Sequence, residues 1–194
     1  MRLSDGTVIR LYRQTVEDFG IYPGMELTDE QMNDLRAAAG QMSAKMRAVR
    51  IVAASSVSKR DLEQRLIHKG EDPGHAKNAV QWMADMDLLD DRKTAEQVVQ
   101  RCISKGYGIA RAKQALYEKR ISKEYWDDVL ECYPDQQDAI VDYLRTRLHG
   151  STDAKELRKA IDALLRRGHS YNRIRRGLEQ LELETDGLPE ENYG

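Results

Sequence analysis

The stretch Leu62-Glu63-Gln64-Arg65-Leu66-Ile67-His68-Lys69 decides the fold, because it returns twice in outline. Fifty residues on it reads Ala112-Lys113-Gln114-Ala115-Leu116-Tyr117-Glu118-Lys119, and forty-eight further Ala160-Ile161-Asp162-Ala163-Leu164-Leu165-Arg166-Arg167. Each copy has an apolar residue in its first and fifth places and a base in its eighth. The frame holds beyond the match: Ala76, Val80 and Met83 fall on Trp126, Leu130 and Tyr133, then on Ile174, Leu178 and Leu181. An i, i+4, i+7 stripe is the apolar face of an amphipathic helix. Its recurrence at a fixed period is the mark of a tandem array of small helical units.

Each copy reads as three short helices. In the second, Ala95, Val98, Val99, Cys102 and Ile103 lie at helical spacing, and Lys105-Gly106-Tyr107-Gly108 supplies a glycine stop. Ala112, Ala115 and Leu116 mark the next helix, and Ser122 caps a third that carries Trp126 to Tyr133 before Pro134. In the first copy, Ser58-Lys59-Arg60-Asp61 resembles a capping box, and Asp72-Pro73 is an N-cap with proline in the first helical position. The third copy has a longer joint at Gly150-Ser151-Thr152-Asp153, then helices from Leu157 to Arg167 and from Tyr171 to Leu183. Before the repeats, Ser4-Asp5-Gly6 and the β-prone run Thr7 to Tyr12 predict a small hairpin. Thr28-Asp29-Glu30-Gln31 is a capping box opening a helix through Leu35. The predicted architecture is all-α: an N-terminal extension (1–42), three helical repeats (43–89, 90–134, 135–183) and a disordered acidic tail (184–194).

The 194 residues, 40% hydrophobic with a single Phe, suit an alanine-rich aliphatic core and argue against a β-sandwich. The first eleven residues lack the apolar run of a secretory signal, and no later window reaches membrane-spanning length. With Cys102 and Cys132 far apart, the expectation is a cytoplasmic protein with no membrane association, Cys102 being a small core residue. No GxxxxGK[ST], GxGxxG or HExxH motif occurs. The histidines, His68, His75, His149 and His169, show no ligand spacing, and His68 and His169 are expected to complement nearby helix ends. No cofactor, metal or catalytic constellation is expected.

Net charge is −2, from 31 bases and 33 acids, but its distribution is uneven. Arg101 to Lys123 carries seven bases (Arg101, Lys105, Arg111, Lys113, Lys119, Arg120, Lys123) against Glu118 alone; Glu124 to Asp138 has six acids and no base. Arg145 to Arg176 carries ten bases against three acids, and Lys45 to Lys69 seven against two. Taken singly, these charges read as solvated helix faces or partners of helix C-termini. Taken as clusters, they read as a surface for a polyanion or an acidic groove. Lys69, Lys119 and Arg167 share one place in the three units, while Arg166, Arg167, Arg173, Arg175 and Arg176 crowd one helix junction. Tyr107, Tyr117 and Tyr171 stand ready as packing or stacking groups.

Leu88-Leu89-Asp90-Asp91-Arg92, Ala95-Glu96, Arg101, Lys105-Gly106-Tyr107-Gly108 and the Leu62-x-x-x-Leu66-x-x-Lys69-Gly70 helix end together resemble the RecX family, bacterial regulators of the RecA recombinase. The resemblance covers about residues 43 to 183. This chain has Thr94 where the family usually has an aromatic residue, Arg120 where it has glycine, and Ile109 where it has proline or a base. The resemblance implies an elongated, curved helical array that lodges in the groove of a RecA filament on single-stranded DNA. There it blocks growth or promotes disassembly, inhibiting strand exchange, ATP hydrolysis and SOS induction. It also implies weak, non-specific binding of single- or double-stranded DNA. The expected contacts are Arg101, Lys105, Arg111, Lys113, Lys119, Arg166, Arg167, Arg173, Arg175 and Arg176, on a monomeric, non-enzymatic protein. The competing reading is a general DNA- or RNA-binding helical-repeat module without a recombinase partner.

Overall fold

The computed structural model describes residues 1–182, in which ten α-helices and one 3-10 turn are the regular elements. The acidic tail expected over 184–194 lies outside the described residues, as does Leu183. The chain divides into two compact units, Met1–Asp91 and a second from Arg92 on.

The first unit holds α1 (Arg13–Asp18), α2 (Asp29–Ala54), α3 (Lys59–His68) and α4 (Pro73–Asp85). The capping box opens α2 as expected: the Gln31 amide donates to Thr28 Oγ1 at 3.2 Å, and the Thr28 amide to Gln31 Oε1 at 3.0 Å. The helix does not stop near Leu35. It runs on because Leu35, Ala39, Ala44, Ala48 and Ile51 continue one buried stripe, so position 42/43, between the extension and the first repeat, lies inside it. Ser58 caps α3 by accepting from the Asp61 amide, and Asp72 caps α4 by accepting from the Gly74 and His75 amides. Alanines on α2 bring α3 and α4 close around Leu62, Leu66, Val80 and Met83. Each such large side chain, when fully buried, contributes about 1.5–3 kcal/mol.

The N-terminal hairpin is a correction. Residues 1 to 12 form one isolated antiparallel bridge, Arg2 to Val8, and no strand. Val8 stays 67% exposed, and two strands alone are marginal in water.

The second unit holds most of α5 (Asp91–Ser104), then α6 (Ile109–Glu118), a 3-10 turn (Lys123–Tyr125), α7 (Trp126–Leu130), α8 (Gln137–Leu148), α9 (Ala154–Arg166) and α10 (Tyr171–Gln180). Two apolar clusters fill it, one from Ala95 to Leu130 and one from Ile140 to Leu178. The helix expected after Ser122 is shortened to the 3-10 turn and the five residues of α7, and the Ser122 side chain makes no cap bond. Trp126 ties this start instead, its Nε1 donating to the Ile121 carbonyl at 3.2 Å.

The sequence repeat is a structural one. After α3, α6 and α9 the chain turns left-handed at Gly70 (φ +88°), Arg120 (+55°) and Gly168 (+85°). The next amide then bonds back five residues: Glu71 to Leu66, Ile121 to Leu116, His169 to Leu164. Glu71, Ile121 and His169 are all buried, each with a different task. Glu71 accepts from Arg47 Nε at 2.6 Å and Ser43 Oγ at 2.9 Å, fastening this turn to α2. Ile121 joins the apolar cluster of its own repeat.

Candidate partner-binding surface

His169 fastens two turns within the second unit. Its Nε2–H donates to the Gly106 carbonyl at 2.9 Å, and the Gly108 amide donates to the Arg167 carbonyl at 2.9 Å. Gly106 is the left-handed stop of α5 (φ +64°), with the Tyr107 amide bonded back to Cys102. A Cβ on Gly108 would fall into the Gly168 and His169 backbone, and one on Gly168 would fall into that of Arg111. The turn Lys105–Gly108 and the turn Arg167–His169 therefore touch backbone to backbone. Tyr133 Oη donates to the Tyr107 carbonyl at 2.7 Å, bracing the same junction. Burial pushes the Tyr133 phenol up to about 12. Burial likewise lowers the His169 pKa, with Arg167 and Arg173 pushing the same way against the Gly106 hydrogen bond. His169 is thus a buried group that hydrogen-bonds the end of α5; of the two roles expected of it near a helix end, cationic or hydrogen-bonding, it takes the second.

This junction collects several of the bases singled out in the sequence. Arg101 and Lys105 are exposed at the end of α5, the Lys105 ammonium lying 5.9 Å from the Tyr107 ring centroid. Arg111, on the first turn of α6, pairs with Glu118 at 2.9 Å, which raises the arginine's pKa and lowers the carboxylate's. Arg101, Lys105 and Arg111 surround buried Cys102, whose thiol is pushed up by burial more than these cations pull it down. Across the junction, the Arg167 guanidinium lies 4.2 Å from the Tyr143 ring centroid, and Arg173 reaches Asp135 at 3.3 Å. Lys105, Arg111, Arg167 and Arg173 therefore share one neighbourhood. Their ion pairs are partly or largely exposed and of small net worth, so a partner can exchange them at little cost.

The remaining sequence candidates lie elsewhere. Lys119 is half-buried at the C-cap of α6, while Arg176 is exposed on α10. Arg175 pairs along α10 with Glu179 at 3.2 Å. Lys113 faces acids: with Ile109, Leu130, Asp127, Asp128 and Glu131 it lines an open groove of about 400 Å³ between α6 and α7.

Arg166 turns away to a feature missed in the sequence. With Arg147 and Lys159 it rims a concavity of about 550 Å³ between α8 and α9, lined also by Tyr143, Asp162 and Ala163. Arg147 and Lys159 are members of the ten-base run, but their sequence spacing carries no signal. The turn at Gly150, which folds α9 back on α8, makes them neighbours. Among the described residues no group of His, Cys, Asp and Glu is arranged to hold a metal ion, and no helix is long and apolar enough to cross a membrane.

Repeated helical units that end in equivalent left-handed turns define an all-helical repeat protein. Residues 90–130 match the family model for the second three-helix domain of RecX. The chain is 30% identical over 148 residues to the regulatory protein RecX of Halorhodospira halophila, covering 72% of this chain and 88% of that protein. It is 28% identical over 140 residues to the regulatory protein RecX of Neisseria meningitidis, covering 72% and 91%. A solved regulatory protein RecX superposes with a TM-score of 0.68 at 17% identity, over 93% of this chain and 92% of that one. RecX from Lactobacillus salivarius does so at 0.62 and 20%, over 75% and 98%. The chain belongs to the RecX family of regulatory proteins.

Proposed function

We propose that this protein is a non-enzymatic regulator that binds the RecA recombinase filament in the cytoplasm. It acts there as a monomer, restraining filament growth and with it ATP hydrolysis, strand exchange and SOS induction. The observation that carries this reading is the backbone-to-backbone junction of the second unit, which brings Lys105, Arg111, Arg167 and Arg173 to one place. A preformed array of cations suits a filament groove, because complementary charge steers encounter and fixes register without ordering a loop first. Arg101 and Arg176 extend the array, and Lys113, Lys119, Arg166 and Arg175 lie outside its centre.

The test is recombinase ATP hydrolysis and filament length on single-stranded DNA, with this protein well below one molecule per recombinase subunit. Inhibition is the expected result. The variant Arg111→Gln/Arg167→Gln/Arg173→Gln, with unchanged helicity, should inhibit at least about tenfold less well, as the loss of a few charged contacts implies. Undiminished inhibition by that variant removes the junction from the contact surface. No inhibition by the wild-type protein, with the recombinase of the same host, overturns the regulator reading in favour of direct nucleic-acid binding.

A further inference from the structure

The depression between α8 and α9 is rimmed by cations that the fold leaves exposed. Other bases nearby are engaged: Arg145 pairs with Asp142, Arg173 with Asp135 and Arg175 with Glu179, while Arg167 lies over Tyr143. Arg147, Lys159 and Arg166 are exposed and form no ion pair among the described residues. The lining holds one carboxylate, that of Asp162, which takes part in an interaction within the protein. Three cations against one acid leave a positive surplus, and like charges brought together are relieved by an arriving anion.

The chain itself carries such an anion. Residues 183–194, which follow the described part, include Glu184, Asp186, Glu190 and Glu191 and no base. Where they start is set by α10. The Gln137 side-chain amide donates to the Arg173 carbonyl at 3.3 Å, and a Cβ on Gly177 would meet Ile140 and Leu144. Helix α10 therefore runs alongside α8 in the same direction. Leu181, packed on the same apolar cluster, comes level with the turn 144–148 that carries Arg147. From Lys159 to Arg166 the depression extends about 10 Å along α9. Residues 183–194 span up to about 40 Å when extended, enough to round the α8–α9 turn and lie along it. The junction offers less, because Arg111, Arg167 and Arg173 are already engaged by Glu118, Tyr143 and Asp135. A tethered segment also meets its site at an effective concentration in the millimolar range, so contacts too weak to hold a free peptide suffice.

We infer that the acidic segment 183–194 occupies this depression, its carboxylates meeting Arg147, Lys159 and Arg166, and so withholds these cations from any other polyanion. The third repeat is thereby autoinhibited by its own chain, and a competing polyanion opens it. This goes beyond recombinase regulation and does not depend on it.

Carbodiimide joins an amine to a carboxylate only where the two touch, so it tests the contact in dilute full-length protein, with the joined peptides read by mass spectrometry. An amide between Lys159 and one of Glu184, Asp186, Glu190 or Glu191 should form, with a yield at least about fivefold above that at Lys105 or Lys113, which are equally exposed. Arg147→Gln/Arg166→Gln keeps Lys159 but removes the charge beside it, and should lower that yield at least about fivefold, as should salt at about 0.5 M. Equal yields at the three lysines mean diffuse attraction and overturn the docking. So does the absence of a link at Lys159, or a link found only between two copies.

The withholding of the cations is tested with fluorescein-labelled polyglutamate. Glu184→Gln/Asp186→Asn/Glu190→Gln/Glu191→Gln should bind it at least about fivefold more tightly than wild type, the gain expected when about four-fifths of the molecules hold the segment in place. In the background Arg147→Gln/Lys159→Gln/Arg166→Gln the same four substitutions should gain less than about twofold. An equal gain in both backgrounds is the general effect of removing four negative charges and overturns the autoinhibition, as does no gain in either. Neither assay contains recombinase, so each outcome leaves the regulator reading to its own test.

Discussion

Gly70, Arg120 and Gly168 hold one place in three repeats, and only Arg120 has a Cβ to accommodate at positive φ. The left-handed region costs an L-residue about 1–2 kcal/mol, which glycine avoids but partly returns through its freer unfolded chain. Arg120→Gly is therefore expected to stabilise the protein by about 0.5–1 kcal/mol, seen as a higher urea midpoint at unchanged slope. A lower midpoint would show that the arginine side chain contributes more than its backbone costs. His169 makes a pH-dependent contribution. With Nε2 bonded to Gly106, its Nδ1 is buried without a hydrogen-bond partner among the described residues, so protonation would place a second N–H there beside Arg167 and Arg173. The unfolded chain takes up that proton near pH 6.5, the folded chain only at lower pH. Below about 6.5 the unfolded state binds more protons, and stability is lost as the pH falls. Between about pH 7 and about pH 5 the urea midpoint of the wild type should drop further than that of His169→Gln, which retains a donor for Gly106 and does not titrate. Equal drops would mean that His169 carries no linkage.

Among the elements, the helices rest on local signals and the contact between turns does not. Asp72 before Pro73, Ser58 before Lys59 and the Thr28–Gln31 box are short-range chemistry, and each cap forms as its spacing predicts. Where a local signal stood alone it failed. Ser122 looked like a cap, but the Trp126 bond to Ile121 and the turn at Arg120 fix that entry. The run Thr7 to Tyr12 reads as a strand, but it makes only one isolated bridge, from Val8 to Arg2. The stop at Gly106 was legible; the close approach at Gly108 was not, because what it meets lies some sixty residues away. Gly108→Ala should force the turns Lys105–Gly108 and Arg167–His169 apart, breaking the Gly108–Arg167 and His169–Gly106 bonds. The expected cost is about 1–3 kcal/mol, the range for overpacking a tight contact. Fluorescence-monitored urea unfolding measures it, and a loss below about 0.5 kcal/mol would show that the junction yields freely.

Over the whole molecule, the period of the apolar pattern made three repeats legible, and the apolar residues do gather in three clusters. Their grouping into two compact units was not legible, since it depends on backbone contact between turns rather than on any stripe. The grouping has a thermodynamic consequence. Leu62 and Leu164 are fully buried in the first and third repeats, one in each compact unit. Truncating either to alanine should cost about 2–5 kcal/mol. In a unit of this size each kcal/mol lowers a melting midpoint by about 4–8 °C. If each unit unfolds on its own core, Leu62→Ala and Leu164→Ala should move different calorimetric components, each leaving the other within about 2 °C. If both variants instead lower one common transition by similar amounts, the units fold as one cooperative body. The second repeat supplies the control, because Leu116 is fully buried and in the same compact unit as Leu164. Leu116→Ala must then move the component that Leu164→Ala moves, since the contact of Gly108 with Gly168 makes the second and third repeats a single structural unit.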